Sequence, residues 1–69
     1  MIDAPHLADV IRAAHVFASL RAVRARQTLP CTSHDVAACV RAEPEFAHMT
    51  TREIAAKCVA LSLPLADAP

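Results

Sequence analysis

Asp3-Ala4-Pro5-His6-Leu7-Ala8-Asp9-Val10-Ile11-Arg12-Ala13-Ala14-His15-Val16-Phe17-Ala18-Ser19-Leu20-Arg21-Ala22-Val23-Arg24-Ala25-Arg26-Gln27 reads as one uninterrupted helix, and the rest of the fold is arranged around it. Asp3 supplies a carboxylate for the exposed amides at its start, and Pro5 stands in the first turn, where a missing N–H is not felt. From Ala4 onward Ala, Leu and Arg dominate, all good helix formers. At about 100° per residue, Leu7, Val10, Ile11, Ala14 and Phe17 fall on one side, and Val16, Leu20 and Val23 fall on nearly the opposite side. At ~1.5 Å per residue this helix is on the order of 35 Å long, more than two short helices can cover. The sequence therefore predicts a second copy of the chain against Val16, Leu20 and Val23, in or near a two-fold interface.

Size and composition point the same way. A chain of 69 residues is one small helical domain, marginal unless stapled, metal-bound or oligomeric. Although 55% of the residues are apolar, only Phe17 and Phe46 are aromatic and much of the apolar count is Ala, so large core side chains are scarce. Pooling them across a dimer would help. With no Gly and no Asn, the usual left-handed helix caps are not at hand, and helices are expected to stop at Pro30, Pro44 and Pro64. The prediction is an all-α fold of one long and two shorter helices.

After Pro30 the local signals are clear. Thr32 with Asp35 forms a capping-box variant, and Val36, Cys39 and Val40 share one face of the short helix that follows. That helix should stop near Ala42, ahead of Pro44. Glu43 to Met49 is a connector with room for one helical turn, anchored by Phe46. Thr50 with Glu53 makes a second capping box, Met49 with Ile54 fits a hydrophobic staple, and Glu53 to Lys57 is spaced for an ion pair. Leu61, Leu63 and Leu65 then alternate around Pro64, as in an extended tail packing its leucines against the chain or a partner, with Asp67 to Pro69 expected to be loose.

Net charge is zero, but unevenly spread. Through Pro30 the balance is +2, and after it −2, so two copies could complement each other. The absence of net positive charge argues against non-specific binding to nucleic acid. Three cysteines at irregular spacing give no disulfide framework, Asp9 and Arg12 break any signal-peptide core, and no apolar run is long enough for a membrane span. A cytoplasmic protein with reduced thiols is expected.

The run Met49-Thr50-Thr51-Arg52-Glu53-Ile54-Ala55 resembles the first helix of the helix-turn-helix in many bacterial regulators, including the quorum-sensing LuxR type, where a T-x-x-E-I-A stretch opens the motif. The likeness covers about a tenth of the chain. That family follows with a Gly-containing turn and a basic reading helix, whereas here Val59-Ala60-Leu61-Ser62-Leu63-Pro64 carries no basic side chain. A second alignment makes the third helix the reader, presenting Thr51, Arg52 and Lys57, with a connector longer than the usual three or four residues. The overall architecture also resembles that of small phage-encoded proteins that inhibit host regulators.

Other chemistry finds less in the residues. Cys31, His34, Cys39, His48 and Cys58 are the atom types zinc takes, but Cys39 and Cys58 lie in phase with core positions, and no metal, cofactor or small-molecule substrate is expected. Cys31 with His34 lacks an orienting third group and any donor loop for an oxyanion, so no enzyme is expected. Arg21, Arg24 and Arg26 suit the carbonyl end of the long helix and also make a basic patch for an acidic partner. The expected function is that of a homodimeric adaptor, inhibitor or anti-activator that binds another protein, possible contacts being Arg21, Arg24, Arg26, Phe46 and Met49. The alternative is a minimal helix-turn-helix regulator that contacts DNA through Thr51, Arg52 and Lys57.

Overall fold

The computed structural model describes residues 4–27 and 30–67, which form three helices and no strand. Helix α1 spans Ala4–Arg24, α2 Ser33–Val40 and α3 Thr51–Ala60, with a single 3-10 turn at Pro44–Phe46 between the last two. Asp3, named above as the start signal of α1, lies outside the described residues. α2 packs on both other helices, while α1 and α3 touch each other less. The result is elongated, 39 × 23 × 17 Å, with α1 about 32 Å long at ~1.5 Å per residue.

Both capping boxes form as read. The Thr32 hydroxyl accepts from the Asp35 N–H (3.2 Å) while the Asp35 carboxylate accepts from the Thr32 N–H (3.1 Å). Thr50 and Glu53 repeat the exchange at α3. The hydrogen bonds from Thr50 hold the Glu53 carboxyl below its ordinary pKa. With that carboxylate committed to the cap, the ion pair expected with Lys57 is not among those formed within 4 Å by the described residues. The staple is present too, Met49 and Ile54 lying in one buried cluster.

Helix ends depart from expectation. α1 stops at Arg24, and both α1 and α3 finish on a left-handed residue that is not glycine, Arg26 and Ser62, each at φ 60°. Gln27 N–H bonds the Ala22 carbonyl and Arg26 N–H that of Val23; Leu63 N–H bonds Cys58 and Ser62 N–H bonds Val59. These are two complete Schellman motifs. Hydrogen bonds to carbonyls that would otherwise go unpaired, with Leu63 folding back on the core, offset the ~1–2 kcal/mol that a side chain costs in this conformation.

The core draws on every element: Ile11, Ala14 and Ala18 of α1, Cys31, Val36, Ala37 and Val40 of α2 and its approach, Met49, then Ile54, Cys58 and Leu65. Alanines at 14, 18 and 22, one per turn, let α2 lie close against α1. Burial pushes the Cys58 thiol pKa up. The leucine tail packs on its own chain, and Asp67 is not loose: its carboxylate accepts from Ser33 at the start of α2, while Ala66 N–H bonds the Cys31 carbonyl. Ala68 and Pro69 lie outside the described residues. No described helix is long and apolar enough to cross a membrane.

Candidate interaction surface

The side of α1 facing away from α2 and α3 carries a ridge of uncovered large side chains. Val16 is 57% exposed, Phe17 62%, Leu20 53% and Val23 68%. At 100° per residue Val16, Leu20 and Val23 lie within about 60° of one another, and the centre of this strip is roughly opposite the buried Ile11 and Ala18. So the residues expected to face a partner are brought together at the surface. Phe17 is a correction. Placed with the core from its spacing, it stands at the edge of the ridge instead, because α2 packs against the small Ala14 and Ala18 and leaves the adjoining flank open. The signal that could have found it is the alanine spacing at 14, 18 and 22, which marks where a second helix can approach closely.

The basic group lies at one end of this ridge. Arg21 and Arg24 occupy the last turn of α1, and Arg26 the left-handed residue beyond it; all three are exposed. At the other end Asp9 and Arg12 form an exposed pair at 3.7 Å, weakly stabilising at best. Beside Phe17 a groove of about 220 Å³ is lined by Val10, Ala13, Ala14, Phe17, Cys39 and Glu43. Glu43 precedes the 3-10 turn and makes no capping bond with its exposed side chain.

Phe46 and Met49 do not join this patch. Met49 is 9% exposed and belongs to the core, so its expected role as a displayed contact is corrected: the same position that lets it staple α3 hides it. Phe46 is half-buried, its ring centroid 5.8 Å from that of His6, and His6 Nε2 lies 2.9 Å from Glu45 Oε1. Phe46 and Glu45 are therefore tied to the first turn of α1, some 27 Å along the helix from Arg24 at ~1.5 Å per residue. His15 is held to the Pro64 carbonyl at 2.7 Å.

The three residues of the DNA reading are likewise divided. The Thr51 hydroxyl accepts from Arg41 Nη1 (3.1 Å), which also donates to the Met49 carbonyl (3.3 Å), so Thr51 serves to clamp the connector. Arg52 and Lys57 are exposed but some 140° apart around α3. Between α2 and α3 run the ten residues 41–50. As for metal, the described residues include no group of three or more His, Cys, Asp or Glu side chains placed to hold an ion; Cys31 is fully buried with its Sγ 3.6 Å from Ser19 Oγ, while His34 is exposed. Compared with known proteins, the chain matches no family model, no curated protein and no solved structure.

Proposed function

We propose that this chain is a small regulatory protein that works by binding another protein, as an adaptor, inhibitor or anti-activator, and that it does so as a homodimer built on α1. The observation that carries this reading is the ridge of Val16, Phe17, Leu20 and Val23, four large apolar side chains more than half exposed on one helix of a 69-residue chain. Scattered exposed leucines are ordinary; a contiguous strip with charged groups at both ends is the composition of an interface. Arg21 and Arg26 then present cations at its margin to an acidic partner surface. The test is affinity capture by the tagged protein from bacterial lysate, with and without nuclease. One stoichiometric protein retained after nuclease supports the reading, and capture that depends on intact DNA overturns it.

A second reading, a minimal helix-turn-helix DNA-binding regulator, is favoured by one observation. α3 opens on a well-formed capping box and carries Arg52 and Lys57 exposed, though some 140° apart, so they would meet phosphates from two sides of the helix.

A further inference from the structure

The apolar ridge of α1 has a spacing that says what covers it. Ala13, Val16, Leu20 and Val23 follow one another at intervals of three, four and three residues, the alternation of a coiled-coil seam two heptads long. Asp9 continues the phase at one end, and at the other the helix terminates at Arg24. Phe17 and Arg24 lie along one edge of the seam; Arg12 and Ser19 lie along the other. A short seam closed by charge at both ends is suited to a helix of the same length.

Charge then chooses the direction. Two parallel copies of α1 would bring Arg21, Arg24 and Arg26 of both chains to one end, six cations against the two Asp35 carboxylates, each of which shares a groove with Arg21 and is engaged in the cap of α2. Antiparallel copies in which Val16 faces Leu20, and Ala13 faces Val23, set a small side chain against a larger one at each level. They also bring each basic end level with the Asp9 end of the other copy. In that register Arg24 of one copy arrives at the level of residue 12 of the other, on the edge that carries Phe17. There the structure has a groove lined by Val10, Ala13, Ala14, Phe17, Cys39 and Glu43. Side chains lean toward their own helix N-terminus, which in an antiparallel pair carries the incoming Arg24 toward Phe17.

We propose that a second copy of this chain pairs with α1 antiparallel along Ala13, Val16, Leu20 and Val23, and that its Arg24 seats in the groove beside Phe17 with the guanidinium on Glu43. The stem of Arg24 covers the Phe17 ring, and the charge meets a carboxylate that has no capping duty of its own. Two-fold symmetry makes the contact twice. The proposal rests on the homodimer in the function proposed above and assigns Arg24 to that dimer.

The experiment is column light scattering on the full chain and on charge-reversed variants, with circular dichroism to confirm that each remains helical; both residues are exposed, so the fold of one chain does not depend on them. The wild type is expected to run with the mass of two chains at micromolar concentration. Arg24→Glu and Glu43→Arg should each weaken the dimer about tenfold or more by placing like charges together, and the double variant should recover most of the loss. A wild type that runs with the mass of one chain at about 100 μM overturns the pairing, and so does a double variant no better than the worse single one. Lysate capture is read separately. A single chain that still retains one protein after nuclease overturns the pairing and leaves the regulator reading standing; a restored dimer that retains none does the reverse.

Discussion

Asp67 holds Ser33 by both of its donors: one carboxylate oxygen accepts from the Ser33 N–H at 2.8 Å and the other from its hydroxyl at 2.5 Å, across 34 residues of chain. Ser33 is the first residue of α2, so the end of the described chain completes the cap that Thr32 and Asp35 begin. Replacing Asp67 with Ala should lower stability by about 1 kcal/mol, as for loss of an N-cap, and leave the buried Ser33 hydroxyl short of its acceptor. Urea denaturation followed by circular dichroism measures this.

The same contact gives a pH dependence. Hydrogen bonds from the Ser33 hydroxyl and N–H hold the Asp67 carboxyl below its ordinary pKa. A depressed pKa in the folded state adds stability that is fully present above the unfolded-state value and is lost as pH falls through the folded one. Stability should therefore decline on acidification below the ordinary carboxylate range. Asp67→Asn should make that decline shallower. Glu53 contributes in the same direction through its bonds with Thr50, so the slope should flatten without vanishing.

At the other end of α3, Ser62 sits left-handed at φ 60° with its side chain exposed. Ser62→Gly removes the Cβ clash at the cost of some unfolded-state freedom, for a net gain of about 0.5–1 kcal/mol. A rise in melting temperature of a few degrees is the expected reading. A fall would mean the Ser62 side chain makes an unrecognised contribution.

Core packing sets the scale against which these effects count. Ile54 is fully buried where α3 meets the rest of the core, and Ile54→Ala should cost ~2–5 kcal/mol. Since small domains have on the order of 5 kcal/mol in total, the variant should keep only about 0–3 kcal/mol, read as a large drop in melting temperature followed by helical circular dichroism.

Leu20→Asp separates interface from fold. The residue lies in the middle of the exposed ridge, 53% exposed and outside the buried cluster, so a single chain should stay folded, with a loss on the order of 1 kcal/mol from helix propensity and its remaining burial. In the proposed dimer it places a charge in the seam. The expected result on a sizing column is a folded single chain.

Arg52→Ala combined with Lys57→Ala tests the DNA reading. Capture of a protein partner should be unchanged by both substitutions. If the chain instead binds DNA and loses affinity and salt dependence together in this variant, the helix-turn-helix reading takes precedence.

Much of the fold was legible because its signals are local. A hydroxyl and a carboxylate three residues apart cap a helix whatever surrounds them, so Thr32 with Asp35 and Thr50 with Glu53 placed the starts of α2 and α3, and helical periodicity alone showed that α1 has two apolar sides. Which flank of α1 would be covered was not local. It was decided by how closely α2 settles on Ala14, Ala18 and Ala22, and that left Phe17 at the surface while Met49 was drawn inside. The left-handed end at Ser62 also came from tertiary structure, since folding Leu63 back onto the core favours a turn that residue preferences alone would have refused. The clasp of Asp67 on Ser33, finally, joins two residues whose spacing carries no periodic signal; only the path of the whole chain brings that carboxylate to the open end of a helix.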